Sequence, residues 1–243
     1  MWGCAVGLFG QWFSRLIPRA EHVAGRIGPV TTSTGDVISL RPLALSDANW
    51  WCSTRLREEH RLRPVEPTAP QGWVAAHTPR AFYDRFVAVQ AARRDGICNA
   101  LVIEQNGTPV GEVTLGGIER GALQRCWIGY WVAEHATGCH VATIAVALAT
   151  DIAFHQLGLH RVTATYLENN PASGRVLTRN GYREEGFLVA NIHINGQWED
   201  HFLMALTADE FDTTAIARLQ EAGIVLPGVP SPGDDEETVT VDQ

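Results

Sequence analysis

Residues 125–167 read RCWIGYWVAEHATGCHVATIAVALATDIAFHQLGLHRVTATYL, and this stretch decides the fold. Its two ends, Arg125–Val132 and Arg161–Leu167, are short apolar runs that predict strands. Between them, residues 138–157 carry an apolar stripe at 4-3-4 spacing, which predicts a helix with one buried face: Val141, Ala145, Leu148 and Ile152. A strand, a helix and a second strand of one sheet should form a right-handed crossover.

The rest of the chain predicts further strands and helices around this unit. Strands are expected at 35–43, at 100–104 and 110–115 around the Asn106-Gly107 turn, and at 182–194 and 198–206 around Asn195-Gly196. Helices are expected after the cap Ser46-Asp47 to about residue 62, at Pro79–Arg94 and at 171–180. This order predicts an α/β (α+β) fold with one mixed central sheet of about seven strands and flanking helices.

Composition divides the chain into three parts. Residues 1–34 are expected to form an extension with an amphipathic helix, because Trp2, Val6, Phe9, Phe13 and Leu16 recur at helical spacing. Residues 35–208 form the domain. Residues 209–243 hold a short helix and an acidic tail that is too poor in apolar residues to order itself.

Charge and composition exclude several classes of function. All 19 basic residues are arginine, which excludes any mechanism that needs a Schiff-base, P-loop or kinase lysine. Residues 208–243 hold nine acids and one arginine, so they account for the whole net charge of −8. The charges of residues 1–207 therefore balance to zero, and this balance does not indicate the basic face that nucleic-acid binding needs. The five cysteines are scattered, which favours a reduced, cytoplasmic protein without a metal, and no segment is expected to enter a membrane.

The stretch ATGCHVAT, residues 136–143, lies where the first strand of the crossover passes into its helix. A helix N-terminus offers unpaired backbone amides and a partial positive charge, which together suit a pyrophosphate. Gly138 can adopt a positive φ, and Thr143 adds a hydroxyl. From the residues alone, an anion site and an ordinary helix start are equally good interpretations.

A second stretch, ENNPASGRVLTRNGYREEG, occupies residues 168–186. Asn170 and Ser173 flank the start of a predicted helix at the carboxyl end of a strand, where ligands collect in α/β sheets. The alternative is purely structural, with Asn170 capping the helix and Ser173 in its first turn.

Together these stretches resemble the GNAT acetyltransferases, and within them the RimJ/RimL branch of ribosomal-protein-alanine N-acetyltransferases. The resemblance extends from about Asp36 to Leu206 and includes ISLRPLALSD near the start and INGQWEDHFLMAL near the end. It implies a splayed pair of strands, with acetyl-CoA as the cosubstrate held between them and no metal. The implied coenzyme contacts are Trp131 and Val132 on the strand, the turn residues Gly138, Cys139, His140, Val141, Ala142 and Thr143, and both Asn170 and Ser173.

The resemblance also implies roles in catalysis. Ser173 would protonate the leaving thiolate, since the position of the tyrosine that does so in related branches is Leu177 here. The glutamate proposed as the base in the RimL branch has no acidic counterpart. Glu112 is therefore our candidate base, although it could equally pair with an arginine for structure. Glu66 and His193 are weaker candidates.

The glycine turn departs from the family pattern Q/R-x-x-G-x-G/A at its first and last positions, which are His135 and His140. The His140 side chain could point to solvent, contact a phosphate or obstruct the turn. The sequence does not decide among these three.

The resemblance leads to three hypotheses about function. The first is an acetyl-CoA-dependent N-acetyltransferase whose acceptor, a protein N-terminal α-amine, attacks the thioester directly. The second keeps the enzyme but changes the acceptor to a small amine such as a polyamine, an amino sugar or an antibiotic. The third is a non-catalytic CoA-binding or interaction protein. The protein is expected to be a monomer or a homodimer.

Overall fold

The computed structural model describes Val23 and residues 25–210 and 213–227. The amphipathic helix expected near the N-terminus and the expected acidic tail lie outside the described residues. No helix in the described part combines the length and the apolar character that crossing a membrane requires.

Among the described residues, eight strands form one sheet in the order β1-β2-β3-β4-β5-β6-β8-β7. All neighbours are antiparallel except β5 and β6, which are parallel. The strands are β1 Ile27–Thr31, β2 Val37–Pro42, β3 Asn99–Gln105, β4 Thr108–Glu119, β5 Arg125–Val132, β6 Arg161–Leu167, β7 Arg183–Ile194 and β8 Gln197–Thr207. The predicted mixed sheet is confirmed.

Strand β1 was not foreseen, because its sequence IGPVT contains Gly28-Pro29 and does not alternate between polar and apolar residues. It pairs with β2 at the edge of the sheet, inside the segment that the sequence analysis assigns to the N-terminal extension.

In the part of the chain that the structure describes, seven α-helices accompany the sheet: α1 Ala48–Arg57, α2 Glu59–Leu62, α3 Trp73–Ala76, α4 Pro79–Arg94, α5 Val141–Asp151, α6 Pro171–Arg179 and α7 Ala215–Glu221. Helix α5 packs on β5, β4 and β2, and it also contacts α6 and α7. Helices α1 and α4 pack on each other, and α4 also contacts β3.

Alternation along the strands assigns these two groups of helices to opposite faces. In β3, Leu101 and Ile103 belong to the large core under α5, whereas Val102 packs with Trp51 and Phe82 of α1 and α4. We call the first the α5 face and the second the α1 face. In β5 the adjacent residues Tyr130 and Trp131 divide in the same way, with Tyr130 on the α5 face and Trp131 on the α1 face.

Two predicted helix starts differ from the structure. Asp47 does not cap α1 with its side chain; its carboxylate accepts two hydrogen bonds from Arg41 and one from the Ala44 amide. Helix α5 begins at Val141 rather than at Gly138, because Gly138 and His140 both have positive φ, which no α-helix contains. Beyond Asp151 the predicted helix continues as a π-helical turn, Ile152–Gln156.

Candidate active site

The two parallel strands β5 and β6 separate after a short contact. Only three residue pairs are in register, Arg125↔Arg161, Cys126↔Val162 and Trp127↔Thr163. Each strand nevertheless stays paired on its outer side to its end, β5 with β4 and β6 with β8. The inner backbone edges of residues 128–132 and 164–167 therefore face a wedge that opens towards the carboxyl ends of both strands.

Contacts from α1 and α2 hold the far end of β5. Arg61 donates to the Val132 carbonyl, and the Glu134 amide donates to the Glu58 carboxylate at 3.1 and 3.2 Å. Arg61 and Glu58 also form an ion pair with each other. Burial would raise the pKa of Glu58, but hydrogen bonds from Arg61 and from the Glu134 amide hold it below its usual value, so the carboxylate is charged at neutral pH. We call this group of contacts the strand clamp.

The predicted anion turn follows β5 directly. The Thr137 amide donates to the Glu134 carbonyl at 3.0 Å, and the Ile144 amide donates to the His140 carbonyl at 2.9 Å. Between them, the amides of residues 138–143 have no acceptor among the described residues. A row of unused amides at the start of a buried helix matches the needs of a pyrophosphate.

The last residue of the turn, His140, has an unusual backbone conformation. His140 has φ 59° and ψ 6°, the left-handed conformation that glycine adopts without strain. That is the position where the family pattern has a small residue. The side chain of His140 is half-buried, and its Nδ1 lies out of contact with solvent without a hydrogen-bond partner. Of the three alternatives left open by the sequence, full exposure of the side chain to solvent does not match this half-buried position.

The other turn residues lie in the same short segment. Gly138 and Cys139 are exposed, Ala142 is half-buried, and Val141 and Thr143 are buried at the base of α5. The predicted coenzyme residue Val132 is also buried on the α5 face. The structure therefore brings the predicted turn residues together beside the open end of the wedge.

Ser173 lies in the first turn of α6, at the carboxyl end of β6. Asn170 caps this helix, because its Oδ1 accepts a hydrogen bond from the Ser173 amide at 3.4 Å. The capping role that the sequence analysis gave as the alternative for Asn170 is therefore observed. Next to Ser173, a Cβ on Gly174 would lie 2.8 Å from the Tyr166 ring. The glycine therefore lets α6 approach β6 closely, and this fixes where Ser173 is placed.

The hydroxyl of Tyr130 joins Ser173 across the wedge. Tyr130 Oη lies 2.9 Å from Ser173 Oγ and 3.1 Å from the Ser173 carbonyl oxygen. A carbonyl only accepts, so Tyr130 donates its single proton there and accepts from Ser173 Oγ. Burial raises the pKa of Tyr130 well above its usual value, so the phenol stays neutral. The sequence analysis missed Tyr130; the residues lie 43 positions apart, and only the adjacent strand and helix bring them together.

Glu112 lies on the α1 face of β4, in register with Trp131 of β5. It is buried and forms an ion pair with Arg85 of α4, which is the structural role that the sequence analysis weighed against catalysis. Trp131 itself stacks on Trp50 at 5.7 Å between ring centroids and lies under the guanidinium of Arg55.

The two weaker candidates for the base, Glu66 and His193, lie on neighbouring segments of the chain. Glu66 pairs with Arg55, while the His193 ring packs edge-on against Trp198. The loop that carries Glu66 is anchored to the β7–β8 hairpin, because the Thr68 amide donates to the His193 carbonyl at 2.8 Å. Among the described residues, no group of three or more His, Cys, Asp or Glu side chains has the geometry to hold a metal ion.

Comparisons with known proteins agree with this geometry. A family model described as an acetyltransferase (GNAT) domain matches residues 38–183. The solved structure of Mycobacterium smegmatis RimJ in complex with CoA-disulfide has a TM-score of 0.81 and 38% identity, covering 84% of this chain and 97% of that one.

Two curated relatives extend the comparison. The [ribosomal protein uS5]-alanine N-acetyltransferase of Escherichia coli is 30% identical over 75% of this chain and 94% of its own length. The probable N-acetyltransferase YjcK of Bacillus subtilis is 44% identical over 40% of this chain, and the match spans only 54% of that relative. The wedge, the amide turn and these similarities together show that the chain belongs to the GNAT acetyltransferase family, as an N-acetyltransferase of the RimJ/RimL type.

Proposed function

We propose that this enzyme transfers the acetyl group of acetyl-CoA to the α-amine at the N-terminus of a protein, by direct attack of the amine on the thioester. The observation that carries this proposal is the wedge between β5 and β6, with the unused amides of residues 138–143 at its mouth. The E. coli relative, whose name specifies an alanine of a ribosomal protein, supports a protein N-terminus as the acceptor.

The coenzyme would be held by backbone groups. The amides of residues 138–143 would bind its pyrophosphate, and their donor groups fit an anion. The unpaired inner edge of β5, residues 128–132, would hydrogen-bond to the amide groups of the pantetheine arm as a neighbouring strand does. Bound there, acetyl-CoA supplies the activated acetyl group.

Ser173 would protonate the thiolate as it leaves. Tyr130 is a positioning residue in this scheme, because it accepts a hydrogen bond from Ser173 Oγ and donates one to the carbonyl of the same residue. These two bonds hold the serine hydroxyl in one place. Rotation about the Cβ–Oγ bond can then redirect its proton towards the wedge.

A direct assay tests the proposal. The full-length protein is mixed with acetyl-CoA and, in separate reactions, with a peptide that begins with alanine, the same peptide with a blocked N-terminus, spermidine and an amino sugar. Mass spectrometry then locates the acetyl group. We expect acetylation of the free peptide N-terminus alone, together with calorimetric binding of acetyl-CoA.

Other outcomes would overturn the proposal. Turnover of spermidine or the amino sugar in preference to the peptide would make the protein a small-amine acetyltransferase. Absence of both acetyl-CoA binding and thioester consumption would make it a non-catalytic relative.

A further inference from the structure

The α1 face beside Trp131 holds four charged side chains that the coenzyme site does not use. Arg55 pairs with Glu66, and Arg85 pairs with Glu112. Arg55 and Glu112 are buried, whereas Glu66 and Arg85 are half-buried. We call these four residues the charged cluster. Its formal charge is zero, because it contains two arginines and two glutamates.

Arg55 is fixed from several directions. Its guanidinium carbon lies 5.1 Å from the ring centroids of Trp51, Trp73 and Trp131. Its Nε donates to His77 Nε2 at 2.8 Å, and His77 Nδ1 lies 2.6 Å from the Trp73 carbonyl. His77 must therefore be neutral with its proton on Nδ1, and burial accordingly lowers its pKa. A guanidinium held in this way fixes the glutamate that it binds.

Each carboxylate of the charged cluster has one oxygen left over. Glu66 Oε1 and Glu112 Oε2 are inaccessible to solvent and have no hydrogen-bond partner. Among the described residues they are the only buried carboxylate oxygens of which this is true. Trp51 Nε1 and Arg85 Nη1 beside them are unpartnered donors. Buried polar groups without partners are rare in proteins because they are costly, so they need an explanation.

Comparable carboxylates elsewhere in the protein are fully used. Glu104 on β3 is just as buried as Glu112, at 4% against 5% exposure. Its Oε1 accepts from Arg41, and its Oε2 accepts from Ser39 and pairs with Arg26. The unused oxygens therefore belong to the charged cluster and are not a general property of buried glutamates in this fold.

The cluster borders the open part of the wedge. Glu112 is in register with Trp131, which lies among the β5 residues that do not pair with β6. Arg55 packs on the Trp131 ring. Ser173, by contrast, is bonded to Tyr130 on the α5 face. The two faces thus offer a proton donor on one side of the wedge and unused proton acceptors on the other.

We propose that the unused oxygens of Glu66 and Glu112 bind the ammonium group of the acceptor, a free peptide N-terminus, and that Glu66 removes its proton. This inference rests on the proposed function. The N–H bond of the ammonium breaks, its proton passes to Glu66 Oε1, and the electron pair left on nitrogen becomes available to attack the thioester. The side chain of Glu66 is 21% exposed, so a small rotation would bring its shielded Oε1 to the ammonium and then to water, whereas the side chain of Glu112 is 6% exposed and serves to bind.

The surroundings of Glu66 suit this task. Burial raises the pKa of Glu66, Arg55 and Arg85 oppose that rise, and the charge of Glu112 adds to it. A carboxyl group with a raised pKa is better matched to an α-ammonium, whose reference pKa is about 8. Because only the charged form of Glu66 can accept the proton, kcat/KM should rise with pH through the pKa of Glu66.

The test compares Glu66→Gln, Glu112→Gln and the control Glu104→Gln in the full-length protein. We measure acetyl-CoA affinity by calorimetry and steady-state rates with an alanine-initiated peptide from pH 5 to pH 9. Glu66→Gln should lower kcat/KM for the peptide by about a hundredfold, as expected for loss of a general base, and should leave only the rise that follows deprotonation of the peptide α-amine, near pH 8. Glu112→Gln should mainly raise the KM for the peptide. All three variants should bind acetyl-CoA within about twofold of the parent protein, and Glu104→Gln should keep the parental rate.

The result separates this inference from the proposed function. An active parent protein whose kcat/KM and pH profile are unchanged by Glu66→Gln would overturn the inference and leave the proposed function intact. A parent protein that acetylates no amine would overturn the proposed function first. If Glu66→Gln does not fold, Glu66→Asp replaces it, and an unchanged pH profile and rate in that shortened variant would equally count against the assignment.

Discussion

The two faces of the sheet differ in the pairing of the polar groups around β5. On the α5 face, Tyr130 bonds twice to Ser173, and Thr150 and Tyr182 bond to each other at 2.9 Å. On the α1 face, Glu66 and Glu112 keep oxygens without partners among tryptophans. The comparison teaches that the proposed proton donor and the proposed acceptor site lie on opposite faces of the sheet. Strand β5 serves both, since Tyr130 and Trp131 are consecutive residues that point to opposite sides.

The largest expected effect on stability comes from replacing Arg55, which makes the most contacts in the charged cluster. Arg55→Met removes the partner of Glu66 and the cation between three indoles, so it should lower the free energy of unfolding by about 3 kcal/mol. Urea unfolding measures this. The control Arg80→Met removes an exposed pair with Asp84, which should change stability by less than about 0.5 kcal/mol. Equal effects of the two substitutions would show that the charged cluster is no more than a surface ion pair.

Ser173→Ala tests the α5 side of the reaction. Loss of the proton donor should lower kcat by about a hundredfold. The affinity for acetyl-CoA should stay within about twofold, because the pyrophosphate is held by backbone amides. Stopped-flow rates and calorimetry measure the two quantities. The control Thr178→Ala removes another hydroxyl from α6, one that bonds only to the Gly174 carbonyl, and should leave both unchanged. A loss confined to affinity would make Ser173 a binding residue.

Tyr130→Phe tests whether Tyr130 positions Ser173 for catalysis or only stabilises the α5 face. It should lower kcat about tenfold and stability by about 1 kcal/mol, the usual net contribution of a hydrogen bond. Tyr182→Phe removes a more deeply buried phenol whose partner is Thr150, so it should cost at least as much stability and leave kcat unaltered. In a double variant with Ser173→Ala, the loss in kcat should not add to that of the single variant. Additive losses in kcat would show that the two hydroxyls act independently.

The smallest effect concerns His140 at the mouth of the wedge. Replacing it with glycine relieves a left-handed conformation that costs a residue with a side chain about 1 kcal/mol. We expect a gain in stability of up to that size and unchanged affinity for acetyl-CoA. Gln124→Gly relieves a similar positive φ on another loop and serves as the control for the stability gain. Weaker coenzyme binding only in His140→Gly would show that the imidazole contacts a phosphate.

The fold was largely predictable from the sequence, because local patterns of apolar and polar residues predict most of its strands and helices. The bounds of β5, β6 and α4 match those expected from alternation and helical spacing. The turn at residues 138–143 and Ser173 were also predicted as site residues, but through a resemblance; the residues alone left each of them with a structural alternative. Edge strand β1 was missed because a Gly-Pro pair interrupts its pattern.

Contacts between distant parts of the chain could not be predicted. The bond between Tyr130 and Ser173 depends on how closely Gly174 lets α6 approach β6, which no periodicity reports. The sequence analysis weighed an arginine pair for Glu112 without being able to say which arginine, since Arg85 lies 27 positions away. A side-chain oxygen left without a partner, which both Glu66 and Glu112 have, leaves no signal in the sequence.

The strand clamp has a consequence for how the two substrates influence each other. Glu58 follows α1 directly, and its carboxylate binds the amide just beyond β5, while Arg55 lies one turn earlier on the same helix within the charged cluster. One short helix thus contacts both the proposed acceptor site and the entry to the proposed coenzyme turn. Any free-energy coupling that it transmits must be reciprocal, so a peptide that tightens acetyl-CoA binding by some factor has its own binding tightened by that factor. Loosening the clamp would remove the coupling from both directions at once.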